Sequence, residues 1–526
     1  MITRRHLIQS GLAAATAVTF GPSFWRDALA APPAQPGPGP YGPLLPADAN
    51  GIMLPSGFSS RVIATANAPV AGTGYVFPWF PDGQATYPTP DGGWILVTNS
   101  EIPAVGGVSA IRFDARGTIV DAYRILANTN TNCAGGATPW GTWLSCEEVD
   151  KGSVWECDPT GARAAVEHQA MGVFKHEAAC VDPLLQQIYL SEDISGGGLY
   201  RYTPTAYPDL SEGLLEIACG GPQVVWKPVP DPRFTGATAC KDQVADSIKF
   251  GRGEGLWYDA GRVYLATTSD ETIHVYDTRA GTLEVLYNAD NAPGTPLRGV
   301  DNLHVSRSGD LFVAEDSYDN DPDAMDICLI TPDKQVARFL KLTGDAHFLP
   351  GELASETVGI TFDPSGTRMY VGSQRYAGFG IVYEIAGPFR LERAQGAPPL
   401  NPVGSPAPPA VAGPGGAPGV PIGLDVASRM TFASFIRRGL ALGITVDKGA
   451  SIRVKVTAKV RGRRVTLASG TRLLDRGHTT VRFKPTRARA KPLKARRQAL
   501  KATVEVKIVT RGAPTRTLKR TVTLRR

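Results

Sequence analysis

Seven carboxylates stand at the ends of short apolar runs that recur six times along this 526-residue chain: Glu101, Glu147, Glu148, Glu192, Asp193, Glu315 and Asp316. The runs read LVTNSE, WLSCEE, YLSEDI, YLATTS, FVAEDS and YVGSQR, each an apolar strand that meets a small residue and then polar or acidic groups. Gathered in space, these acids raise one another's pKa and cannot all stay ionised without counter-charge. Hard cations with oxygen ligands relieve that repulsion, so the residues point to a polymetal site. Seven histidines in the whole chain give a multi-His zinc site little to draw on, which again favours oxygen-rich ligation. No GxSxG, HExxH or GxxxxGK[ST] is present.

The spacing of the runs says what must position them. Their small residues, Thr98, Ser145, Ser191, Ala266, Ala314 and Gly372, are 47, 46, 75, 48 and 58 positions apart. A β-propeller blade takes ~40 to 50 residues, so the pattern predicts an all-β, six-bladed β-propeller with insertions in two blades. In that architecture the innermost strands all run the same way along the channel, and equivalent positions meet at one end.

Composition divides the rest of the chain. Residues 1–30 carry Arg4 and Arg5, an alanine-rich apolar stretch and an A-x-A site near Ala28 to Ala30, which reads as a twin-arginine export signal recognised by the Tat machinery. The expected location is periplasmic, cell-wall-associated or extracellular. No later segment approaches the ~18 consecutive apolar residues of a membrane span. Residues 31–50 and 396–424 are rich in Pro, Gly and Ala and are expected to be an unfolded lead-in and a linker, with the propeller over 51–395 between them. Residues 425–526 hold 28 Lys and Arg against 4 Asp and Glu, leaving 27 basic and 45 acidic residues in the first 424. Alternation in ASIRVKVTAKV, RRVTLASG, TTVRFKP, ATVEVKIVT and RTVTLRR predicts a small antiparallel β-sandwich. Its charge suits an anionic cell-envelope polymer or lipid surface, and equally a solvated face. No RNP, helix-turn-helix or zinc-finger signature supports nucleic-acid binding, and none is expected.

Seven cysteines form an odd set for an exported protein, so at least one is expected to be unpaired or bound to something. Cys133 and Cys146 flank one Gly- and Trp-rich turn, and either could be the odd one. The acidic loop DSYDNDPDAMD, Asp316 to Asp326, lacks the Gly and the closing Glu of an EF-hand and leaves only a weaker calcium-loop or surface-loop reading.

Five stretches are more specific than a generic propeller: NCAGGATPWGTWLSCEE, FKHEAA, SEDISGGGLYRY, GRGEGLWY and DNLHVSRSGDLFVAED. Together they resemble the PhoX-type alkaline phosphatases, exported twin-arginine-dependent bacterial enzymes, over roughly residues 45 to 390. The resemblance implies a propeller funnel holding Fe3+ and Ca2+ that hydrolyses phosphate monoesters. It implies that Cys133 ligates iron, that Glu177 and Glu254 are further iron or bridging ligands with catalytic roles, and that the strand-end acids share the metals. Arg252 then matches the arginine that holds phosphate. The fourth repeat departs from the pattern with TTS and the sixth with SQR.

A thiolate at neutral pH needs a cation beside it, and clustered cations with one planar Arg suit in-line attack on a phosphoryl group. The competing readings are a calcium-dependent, lactonase-like propeller hydrolase and a non-catalytic propeller that holds ions for structure. Cys133 discriminates, because a single-calcium hydrolase has no use for a thiolate.

Overall fold

The computed structural model describes residues 32–316, 325–347 and 355–394, then 423–426, 429–438, 440–446, 450–460, 463–474, 477–485, 499–510 and 516–525. The export signal, most of the Pro/Gly-rich linker and the centre of the acidic loop lie outside the described residues. The chain divides into two compact units, Met1–Pro409 and Ala410–Arg526. Both are nearly all-β; among the described residues the α-helix is Phe432–Arg438. No described helix is long and apolar enough to cross a membrane.

The first unit holds six antiparallel meanders. Their first strands are Pro81–Pro88, Asn132–Ala137, His176–Asp182, Gly253–Asp259, Val300–Val305 and Thr357–Phe362. Each is followed by the strand that carries one of the six apolar runs: Trp94–Ser100, Trp143–Glu147, Gln187–Glu192, Arg262–Thr267, Leu311–Glu315 and Arg368–Ser373. The recurring motif therefore lies on the second strand of every sheet rather than on the innermost one. The sixth sheet takes its outer strand from ahead of the first sheet, where Ser59–Thr65 pairs antiparallel with Ile381–Ala386.

Neighbouring sheets meet through specific atoms near their first strands. Asn99 Nδ2 donates to the Cys133 and Ala134 carbonyls at 2.8 Å, Ser191 Oγ to Glu254 O at 2.6 Å, and Thr268 Oγ1 to Val300 O at 3.0 Å. Gly359 N donates to Asn302 Oδ1 at 2.7 Å, and Gln374 Nε2 to Asp82 Oδ2 at 2.7 Å. Between the second and third sheets the approach requires glycine, since a Cβ on Gly136 would lie 1.9 Å from the Ala179 carbonyl oxygen. A pocket is lined by residues of all six first strands, among them Gly83, Ala134, Ala178, Gly255, Asn302 and Gly359.

Every first strand also bulges at the same end, with one extra residue opposite its partner, as between Pro81 and Gln84 or between Asn132 and Gly135. A bulge re-aims the side chain it carries. Five of these bulges carry Asp82, Cys133, Glu177, Glu254 and Asp301.

Residues 32–50 differ from the expected unfolded lead-in. Gln35–Pro36 adds a parallel edge strand to Gln335–Leu342, Ala34 is fully buried, and the Tyr41 ring meets Phe58 and Phe339 edge-on at 5.4 Å each. Proline is tolerated because an edge strand does not need every N–H. One alanine and one aromatic supply burial that the segment's Pro/Gly content hides.

In the second unit Gly423–Val426, Leu440–Val446 and Gly477–Phe483 form one sheet. Arg429–Thr431, Arg516–Arg525, Leu500–Thr510, Ala450–Val460 and Arg463–Leu474 form the other. Leu442 and Ile444 of the first share a core with Val454, Val456, Val504 and Val506 of the second. Each buried Val or Leu contributes roughly 1.5 to 3 kcal/mol. The helix and the parallel pairing of Arg429–Thr431 with Arg516–Arg525 were not anticipated.

Candidate metal centre

Two sets of residues converge at the bulged ends of the first strands. The bulges deliver Asp82, Cys133, Glu177, Glu254 and Asp301. The residues just past the second strands deliver Glu101, Glu148, Asp193 and Asp316, and Glu356 precedes the sixth sheet's first strand. Potential ligand atoms of Asp82, Glu101 and Cys133 lie within 4.8 Å of one another, as do those of Cys133, Glu148 and Glu177, and those of Glu177, Glu254 and Asp301. Cys133 and Glu177 each belong to two groups, so the three adjoin. Cys133 Sγ is 3.2 Å from Glu177 Oε1 and 3.5 Å from Asp82 Oδ2.

The fourth and sixth sheets, which lack strand-end acids, contribute donors instead. Thr268 Oγ1 donates to Glu254 Oε1 at 2.8 Å. Gln374 Nε2 donates to Asp82 Oδ2 and, at 2.6 Å, to Glu101 Oε2.

Among the described residues, three cations face these nine carboxylates. Arg252 grips Asp193 with two bonds, Nε to Oδ1 at 2.7 Å and Nη2 to Oδ2 at 2.9 Å, and approaches Glu254 Oε1 at 3.1 Å. Lys175 Nζ lies 2.8 Å from Glu148 Oε1 and 3.0 Å from Asp193 Oδ2. Arg375 Nη1 lies 3.2 Å from Glu356 Oε1.

The charge imbalance governs protonation. Burial first, and then neighbouring carboxylates, push Asp82, Glu177, Glu254 and Asp301 well above the usual range. The same causes bring Glu101 and Glu356 to about 8 and Glu148 to about 7. Burial opposes ionisation of Asp193 too, but the Arg252 fork outweighs it and holds that carboxyl near 2. The Cys133 thiol is pushed up by burial and by the charges of Asp82 and Glu177. Without cations this cluster therefore holds protons.

The residues present fit bound metal. Asp82 Oδ1 and Glu177 Oε2 are buried and have no hydrogen-bond partner among the described residues. Leaving such oxygens unsatisfied costs roughly 1 to 3 kcal/mol or more each, which a cation would offset. Many carboxylate oxygens suit calcium, and one thiolate beside carboxylates suits a smaller, more polarising ion such as iron.

Of the residues singled out from sequence, Glu101, Cys133, Glu148, Glu177, Asp193, Arg252, Glu254 and Asp316 come together here. Glu147, Glu192 and Glu315 do not, although Glu315 shares a separate group with Asp326 and Cys328, whose potential ligand atoms also lie within 4.8 Å of one another. Glu147 accepts from Asn130 N at 2.8 Å and Ser153 N at 3.2 Å, and Glu315 from Arg298 N at 2.9 Å and Asp326 N at 3.1 Å. Glu192 accepts from Tyr200 Oη at 2.7 Å and Gly198 N at 3.0 Å. Each is the last residue of its second strand, and successive side chains leave a strand on opposite sides. One acid of each pair therefore ties down loop backbone while its successor enters the cluster.

Asp82, Lys175, Asp301, Glu356 and Arg375 were missed. A signal for two of them exists. An acid or Cys followed by a small or amide residue precedes the cluster-facing strand-end position by 14 to 19 residues in five sheets, including Asp82-Gly83 and Asp301-Asn302. The other cysteines are buried, and all seven are free.

Strands that converge carboxylates, one thiol and a carboxylate-oriented arginine define a class, all-β proteins whose clustered acidic groups could hold metal. The family described as Alkaline phosphatase PhoX matches residues 103–376, more than half of the chain, and the chain belongs to that family. Asp82 and Glu101 lie ahead of the matched segment.

No match is found among curated proteins. Similar solved structures include a protein of unknown function from Bacteroides thetaiotaomicron, 11% identical, covering 62% of this chain and 76% of that one, with a TM-score of 0.40. The calcium-binding protein regucalcin from Agrobacterium tumefaciens is 12% identical, covering 64% and 97%, with a TM-score of 0.38. A chain of a nidogen/laminin complex is 11% identical, covering 57% and 99%, with a TM-score of 0.32. Likenesses this slight say nothing about chemistry.

Proposed function

We propose that the first unit is a six-bladed β-propeller whose funnel holds ferric iron and calcium and hydrolyses phosphate monoesters. The observation that carries this is the trio of adjoining ligand groups joined through Cys133 and Glu177, beside an arginine oriented by a carboxylate. Cys133 lies inside the cluster, which favours this reading over a single-calcium lactonase-like hydrolase.

Bound metals would neutralise the phosphoryl oxygens and favour attack by water in line with the leaving group. The chain's own residues do the rest. Asp82, Glu101, Cys133, Glu148, Glu177, Glu254 and Asp301 hold the cations. Asp193 locks the planar Arg252 fork, whose side chain keeps 26% of its exposure, so the guanidinium meets an incoming phosphate already oriented. Lys175 and Arg375 add positive charge on either side.

Replacing Arg252 by Lys should leave metal content intact and lower kcat/KM on an aryl phosphate at least about tenfold, as expected for losing ~1.5 to 3 kcal/mol of charged hydrogen bonding. Unchanged kinetics would make Arg252 a structural partner of Asp193 and no more.

Export by the twin-arginine route and attachment to an anionic envelope polymer through residues 425–526 complete the proposal. Truncation after Gly415 should preserve turnover and abolish salt-sensitive binding to anionic envelope preparations. Equal binding by the truncated and intact proteins would remove the anchor role.

A further inference from the structure

Two aromatic side chains stand exposed on segments that adjoin the candidate metal centre in the chain. Trp79 and Phe379 each keep 41% of their surface in solvent, although their rings lie 5.2 Å apart. Most large aromatics among the described residues are buried, so an exposed pair is a departure that calls for a ligand or partner.

Their placement ties them to the site. Trp79 lies three positions before Asp82, and Phe379 four positions after Arg375. Phe80 N donates to Phe379 O at 2.7 Å, and Glu101 N donates to Phe80 O at 2.9 Å. One hydrogen-bonded path therefore runs from Phe379 through Phe80 to Glu101, whose carboxylate is in turn held by Gln374 at 2.6 Å.

The pair is also held in place. The Trp79 indole N–H donates to Asn67 Oδ1. Phe80 and Ala377 hold φ of 49° and 50°, a left-handed conformation that non-glycine residues seldom adopt. Both segments spend strain to keep their turns, which is the pattern of a positioned surface.

Resting on the phosphatase reading, we propose that Trp79 and Phe379 form a platform for the leaving group, so that the enzyme prefers monoesters whose alcohol presents a flat aromatic face. A phosphoryl group at Arg252 and the metals is dianionic and identical in every monoester. Selectivity must come from what lies outside it, and among the described residues the aromatic pair is an exposed apolar surface joined by backbone hydrogen bonds to the segment of Glu101. Stacking against such a pair is worth ~0.5 to 1.5 kcal/mol beyond simple burial, up to about a tenfold preference.

The test compares two ligands and two substrates on the purified, metal-loaded full-length chain. By calorimetry, phenylphosphonate should bind about tenfold more tightly than methylphosphonate to the wild type, and Trp79→Ala should shrink that ratio to less than threefold. In turnover, Trp79→Ala should lower kcat/KM for 1-naphthyl phosphate about tenfold, mainly through KM, and for glycerol 2-phosphate by less than threefold. Comparing each variant with wild type on the same ester cancels the intrinsic difference between leaving groups. Phe379→Leu, also a surface change, should act in the same direction. Equal affinity for the two phosphonates, or equal losses on both esters, would overturn the platform and leave the phosphatase reading standing. A wild type that binds neither phosphonate and cleaves neither ester would overturn both.

Discussion

Stripping metal from the full-length protein is expected to abolish phosphatase activity and to make stability fall as pH rises. Glu101 and Glu356 stand at about 8 and Glu148 at about 7 without cations, because burial and neighbouring acids oppose their ionisation. Their folded pKa values lie above the ordinary carboxylate range, so each contributes its full stability below that range. The contribution is then lost as pH climbs through 7 and 8. The loss is about 1.4 kcal/mol per pH unit for each such carboxyl while it remains protonated only in the folded state. Several of them acting together should lower the metal-free Tm by an order of 10 °C between pH 5 and pH 8. Bound cations remove the cause by favouring the ionised form, so the metal-loaded protein should hold or gain stability over the same range. Melting curves of chelated and reloaded protein at four pH values check this. A metal-free Tm that stays level or rises with pH contradicts the account, as does full activity after chelation.

Glu177→Gln should separate metal binding from folding by moving them in opposite directions. Glu177 joins two of the three ligand groups, and its Oε2 is buried with no hydrogen-bond partner among the described residues. The amide fills the same volume and keeps an oxygen that Cys133 Sγ can reach, so packing is preserved. It also removes a carboxyl whose ionisation the site opposes, so the metal-free variant should melt a few degrees higher than wild type at pH 8. With metal present the order reverses. Partners one shell away from a metal already cost ~10 to 100-fold in affinity or activity, and a shared ligand should cost at least about 100-fold. Wild-type metal content in Glu177→Gln would remove it from the centre, and a lower metal-free Tm would show that its carboxylate serves packing.

The sequence made the six repeats legible because apolar strands ending in small and acidic residues recur at near-constant spacing. It did not say which strand of a sheet carries them. Placing the repeats on the innermost strands mistook the second strand for the first, and so put both members of each acidic pair into one cluster. Strand alternation sends Glu147, Glu192 and Glu315 to loop backbone and only Glu148, Asp193 and Asp316 to the cluster.

The cluster residues on the true first strands were harder to see. A bulge has no fixed residue signature, and Asp82 and Asp301 differ in type from Cys133, Glu177 and Glu254 although all five occupy the same slot. Cys133, Glu177, Glu254 and Arg252 were found through family resemblance rather than through spacing. Lys175 and Arg375 carry no signal of their own, because a lone cation beside acids is the make-up of any ordinary surface pair. The 32–50 segment was misread because composition records Pro and Gly but not the edge strand at Gln35–Pro36, the buried Ala34 and the Tyr41 ring that anchor it.

The central claim is a polymetal centre built on Cys133 and Glu177, and elemental analysis of the full-length protein purified after native export tests it most directly. Stoichiometric iron together with calcium in the wild type, with iron lost from Cys133→Ser, is the predicted result. A wild type that carries neither metal above background, or a Cys133→Ser protein that keeps its full iron, would contradict it.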